Sequence, residues 1–233
     1  VEAASASASK RIIKKLKQQI ATLQSQVATL TQQLAVANEE PPFLEMVTVG
    51  DPGNPTGEAS VYGQFGAVAT TFRIGKFEVT NAQYAAFLNA VAGDDTHELF
   101  HPAMGNDGFG LRGGIARFGS SPNFQYAPRA AMAEKPVNYV NWFDAARFCN
   151  WLHNGRPTGA QDASTTETGA YALNGATSGV GIAREATAEF WLPNADEWHK
   201  AAYHQPASQG GDTDGYWLYP TGSNAIPTVA TSN

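Results

Sequence analysis

The 233-residue chain predicts an α+β domain, loop-rich and built on a small mixed or antiparallel sheet, preceded by an N-terminal coiled-coil helix. Three observations carry that expectation. Residues 10–40 hold a sustained apolar heptad. Three later segments, Phe72–Val91, Lys135–Leu152 and Phe190–Tyr203, each run from an extended stretch into a capped, apolar-faced helix. Between them lie two glycine-bearing stretches, Gly93–Glu134 and Gly155–Glu189, longer than the connections usual in compact domains. The organisation expected is an Ala/Ser tail over 1–9, a coiled coil over 10–40 and a head domain over 43–233.

From the N-terminus, Ile13, Ile20, Val27 and Leu34 occupy heptad position a, and Leu16, Leu23 and Leu30 occupy position d. Roughly 28 residues of helix span about 40 Å at 1.5 Å per residue. β-Branched residues at a with leucine at d lean towards parallel dimers, with trimers also open, and place the heads at one end. The flanks offer no code for partner or direction, because no charged residue stands between Gln18 and Asn38. The competing reading is a helix packed on its own head. Pro41-Pro42 ends the helix and stiffens the joint. Phe43–Gly50 and Ala67–Phe77 then read as two extended runs.

Each helix carries its own start signal. Thr80 with Gln83, Asn141 with Asp144 and Asn194 with Glu197 have capping-box spacing. Pro136 and Pro193 hold the residues before them extended. Tyr84, Phe87, Leu88 and Val91 form one stripe; Trp142, Ala145, Cys149 and Leu152 form the next; Trp198, Ala201 and Ala202 form the third. Burial is expected for Phe87, Trp142, Phe148, Trp151, Trp191 and Trp198.

The wording of these blocks, EVTNAQYAAF (78–87), PVNYVNWFDAARFCNWL (136–152) and LPNADEWHKAA (192–202), resembles the sulfatase-modifying-factor family. That resemblance implies a C-type-lectin-like fold, and for the founding activity a copper- and oxygen-dependent oxidation of a substrate cysteine to formylglycine. The family enzyme uses two cysteines in a segment after the third block, and neither has a counterpart here. It further implies a structural calcium near Tyr219–Asn233, with Asn233 at a ligand position. The resemblance covers 43–233, about the first two-thirds of a family domain, and implies that the later core strands lie outside it: either the sequence is a fragment, or another chain completes the head, or local rearrangement closes the sheet.

Composition narrows the function. Charged residues make up 15% of the chain and Gly numbers 23, the profile of a loop-rich extracellular, cell-surface or periplasmic protein. Five basic residues (Lys10, Arg11, Lys14, Lys15, Lys17) stand against Glu2, Glu39 and Glu40 in residues 1–40, so the net charge of −6 leaves −8 on the rest. That balance disfavours nucleic acid as a partner of the head. No apolar run of membrane-spanning length occurs, and no signal-peptide core precedes the Ala/Ser tract.

The candidates for chemistry are few. His97-Glu98-Leu99-Phe100-His101 matches H-E-x-x-H, which on a helix places two imidazoles for zinc. Gly93-Asp94-Asp95 before it and Pro102 after it argue instead for a surface loop. Cys149, the single cysteine, reads as a buried structural thiol. Asp212 and Asp214, flanked by Gly210, Gly211 and Gly215, form an acidic turn that suits calcium or plain solvation. The reading that follows is a non-catalytic structural or binding module that self-associates through its stalk. The alternatives are a partial cysteine oxidase and a ligand-binding display head of C-type-lectin type.

Overall fold

The computed structural model of the chain describes residues 14–24, 26–27, 43–57, 63–106 and 112–228. The chain divides between Phe43 and Leu44 into two units. In the first, residues 14–24 (α1) and 26–27 are helical and exposed, and Leu16, Ile20, Leu23 and Val27 face solvent. Ile13, Leu30 and Leu34 of the expected seam lie outside the described residues.

The head runs β1 (Met46–Val49), β2 (Phe72–Gly75), α2 (Asn81–Val91), α3 (Ala103–Asn106), β3 (Ile115–Phe118), β4 (Gln125–Pro128), α4 (Trp142–His153) and α5 (Ala195–Tyr203), closing with a 3₁₀ turn at Ala207–Gln209. β1 and β2 pair antiparallel with Met46 opposite Gly75 and Val49 opposite Phe72. β3 and β4 form a second antiparallel pair, Ile115 opposite Pro128. Gly93–Glu134 is therefore a structured insertion and not a plain loop, as its glycine content suggested.

All three capping boxes form. Thr80 Oγ1 accepts from Gln83 N at 3.2 Å while Gln83 Oε1 accepts from Thr80 N at 2.8 Å. Asn141 Oδ1 accepts from the amides of Phe143 and Asp144, and Asp144 Oδ2 returns a bond to Asn141 N at 3.0 Å. Asn194 and Glu197 repeat the exchange at 2.8 and 2.9 Å. Each box satisfies donors that would otherwise be orphaned in the first turn, an effect of about 1 kcal/mol per cap.

The core is aromatic. Tyr84, Phe87, Phe148 and Trp151 pack ring to ring at 5.2–6.0 Å between α2 and α4. The 93–134 insertion adds Leu99, Phe100, Met104, Ile115 and Tyr126, all buried, with Tyr126 Oη donating to Ala92 O. The 155–189 segment has no helix or strand, yet it sends Ala170, Tyr171 and Leu173 into the core against Ala146 and Cys149.

Two expectations need correction. Of the six aromatics, Phe87, Phe148 and Trp151 are buried and Trp191 is half-buried, but Trp142 and Trp198 stand 42% and 54% exposed. On α5 the buried residues are Glu197 and Lys200, not Trp198, Ala201 and Ala202. The buried face of α5 is held by polar bonds, and its apolar face turns into an open groove.

Candidate functional site

That groove has a volume of about 800 Å³. α4 supplies Ala145, Phe148, Cys149 and Leu152; α2 supplies Tyr84; α5 supplies Trp198, Ala201 and Ala202. Met46 and Val47 of β1 with Phe72 and Ile74 of β2 form the opposite wall, and Trp191 and Leu192 complete it. Among the described residues β1 and β2 pair only with each other, so each keeps an outer edge. Phe77, Val47 and Trp198 remain exposed at the rim. The apolar stripes foreseen on α4 and α5 are thus real, but they converge on this groove.

Polar clusters hold the surrounding helices in place. Arg147, fully buried on α4, donates from Nε and Nη2 to the Glu167 carboxylate at 2.6 and 3.0 Å, and from Nη2 to Ala176 O at 3.0 Å. Gly175 N and Thr166 Oγ1 also donate to Glu167. Burial works to raise the Glu167 carboxyl, but the Arg147 fork and the Gly175 amide outweigh it and hold the group below its ordinary range. Arg147 Nη1 is buried with no acceptor among the described residues. His97 Nε2 lies 3.4 Å from Glu167 Oε1, and burial together with the Arg147 charge depresses its basicity.

On α5, Lys200 is fully buried and donates to Asp51 O at 2.7 Å, while His204 Nε2 meets Asp51 Oδ2 at 2.7 Å. Burial lowers the lysine against the opposing pull of Asp51. Tyr216 packs against His199 and His204, and its hydroxyl meets Asn54 Nδ2 at 2.6 Å. Gly66 is required beside it, because a Cβ there would fall 2.3 Å from Tyr216 Oη and the residue sits at φ +105°. None of Arg147, Glu167, Lys200 and Asp51 was singled out from the sequence. The one available signal was a charged residue inside an apolar helical block, as in AARFC and HKAAY.

The H-E-x-x-H match makes no metal site. Glu98 has φ +56°, Leu99 N and Phe100 N donate to the Asp95 carboxylate, and the segment is not helical. His97 turns inward to Glu167, while His101 stacks on Tyr139 with ring centres 5.7 Å apart. The segment is also not the surface loop expected, since Leu99 and Phe100 plug the core. Cys149 is buried at the groove, and burial pushes its thiol up to about 12. Asp212 accepts from Thr213 N and from Asn224 Nδ2, and Asp214 accepts from Tyr216 N. A cation at this turn would compete with those bonds, so the geometry adds no support for calcium. Asn233 lies outside the described residues. No group of three or more His, Cys, Asp or Glu side chains suited to a metal occurs among the described residues.

Residues 36–230 match the sulfatase-modifying factor enzyme 1-like domain, FGE-sulfatase. The chain belongs to this family. Neither the curated proteins nor the solved structures compared with it gave a match. Membership makes the C-type-lectin-like class the fold of the head, in agreement with its mixture of helices and short antiparallel pairs. Cys149, the one cysteine in these 233 residues, is buried, and burial raises its thiol, so it is not itself placed as a copper ligand. No helix among the described residues is long and apolar enough to cross a membrane.

Proposed function

We propose that this family member is a non-catalytic structural or binding module, self-associating through the helix at its N-terminus and taking an apolar segment into the groove of its head. The observation that carries the reading is the groove itself. Three helices and a two-stranded sheet present aromatic and aliphatic side chains to a space of about 800 Å³, the size of cleft that takes up a ligand or a short segment. A segment of another chain, or a further segment of the same protein, completes the head there. Its extended backbone would find an open strand edge and its side chains an apolar wall. A low charged fraction and abundant small polar residues support an extracellular, surface or periplasmic setting.

The second reading is cysteine oxidation of the formylglycine type, and family membership favours it. In that reading these residues are part of a longer enzyme whose cysteine pair comes from a further segment, because Cys149 itself is buried and burial disfavours the thiolate, the reactive and metal-binding form. A peptide carrying the sulfatase cysteine motif, incubated with the chain, copper and oxygen, is expected to stay unmodified in mass spectrometry. Conversion that disappears in Cys149→Ser would replace the binding reading with the enzymatic one. The groove is tested separately with the fluorescent probe anilinonaphthalene sulfonate. The native head should bind it, and Ala202→Arg should abolish the signal without lowering the unfolding midpoint. Undiminished fluorescence in that variant would place the apolar surface elsewhere.

A further inference from the structure

We propose that α1 pairs with α1 of a second copy in antiparallel orientation, a deepening that rests on the self-association just proposed. Leu16, Ile20 and Leu23 are 50%, 54% and 59% exposed on the described helix, at alternating d and a positions of one face. Charge is gathered at one end of it. Lys14, Lys15 and Lys17 are exposed, Lys10 and Arg11 precede them in the sequence, and no further charge occurs until Glu39 and Glu40.

The identities at a and d lean towards a parallel pair, but the seam is flanked by Gln19, Gln24 and Gln26, which give neither direction an ion pair. The ends therefore decide. In a parallel pair the axes stand about 8–10 Å apart, roughly one screening length at physiological salt, and two basic ends lie side by side along their whole extent. Reversal removes that opposition. It is compatible with a heptad register in which Leu16 faces Val27 of the second copy and Ile20 faces Leu23, so that each layer joins an a residue to a d residue. Lys15 of the two copies then stands about 20 Å apart along the axis, beyond effective screening. The partner that fits this surface is a second copy of this chain, read tail to head.

The test uses the full chain carrying Lys15→Cys, labelled with a nitroxide, because this exposed position leaves the seam intact. Cys149 is buried and stays unlabelled. The expected result is a dimer by light scattering with label separations of about 20 Å or more. A second variant, Leu16→Cys, should form no disulfide with its own copy under oxidation, since antiparallel pairing holds the two sites about 16 Å apart along the axis. Labels close enough to broaden one another's spectra, or rapid Leu16→Cys cross-linking, would overturn the orientation while leaving self-association in place. A chain that scatters as a monomer would overturn both.

Discussion

Arg147→Met is expected to destabilise the head by about 3–5 kcal/mol, the loss typical when one member of a buried ion pair is removed. The size follows from what is left behind. Glu167 is 5% exposed and loses both guanidinium bonds, at 2.6 and 3.0 Å, while its Gly175 and Thr166 donors remain. A carboxylate stranded in that environment either keeps an uncompensated charge or takes up a proton. Arg147→Met combined with Glu167→Gln should recover a large part of the loss, because the neutral amide oxygen still accepts from Gly175. Denaturant unfolding of both single variants and the double variant measures this coupling. Additive losses in the cycle would show that the two side chains act independently.

The same pair marks the limit of what the sequence reveals. The caps at Thr80, Asn141 and Asn194 were legible because a cap depends on residues three apart in the chain, and all three formed. The stripe Tyr84, Phe87, Leu88 and Val91 was legible for a similar local reason. Arg147 was not, since its partner comes from an irregular segment twenty residues on, where no periodicity announces that Glu167 will turn inward. On α5 the apolar stripe was read correctly and its destination was not. Periodicity tells which residues share a face, not whether another element covers that face. Trp198 shares its face with Ala201 and Ala202, and that face lines the groove. The groove was thus hidden from the sequence although each of its helices was visible in it.

Acidification should stabilise the wild-type head relative to Asp144→Asn, by about 2 kcal/mol between pH 7.5 and pH 4.5. Asp144 is 4% exposed at the third position of α4, and burial lifts its carboxyl from 3.8 to about 6 against the Asn141 amide and the Arg147 charge. A group raised in the folded state contributes its full stabilisation below the unfolded value of 3.8 and loses it as pH rises through about 6. The charged form present at neutral pH is therefore the costly one. Asparagine keeps an oxygen to accept from Asn141 N but has no proton to exchange, so its contribution does not change with pH. His97 and His199 pull the other way. Burial lowers both, so each withdraws stability as pH falls below the ordinary histidine value of 6.5. Those two contributions are common to both proteins and cancel in the difference between them. Denaturant midpoints at successive pH values should show the variant comparatively strongest at pH 7.5, with wild type gaining on it steadily through pH 6 and levelling towards pH 4. A difference that stays constant across the range would mean that Asp144 remains ionised throughout, and that the capping bond to Asn141 outweighs its burial.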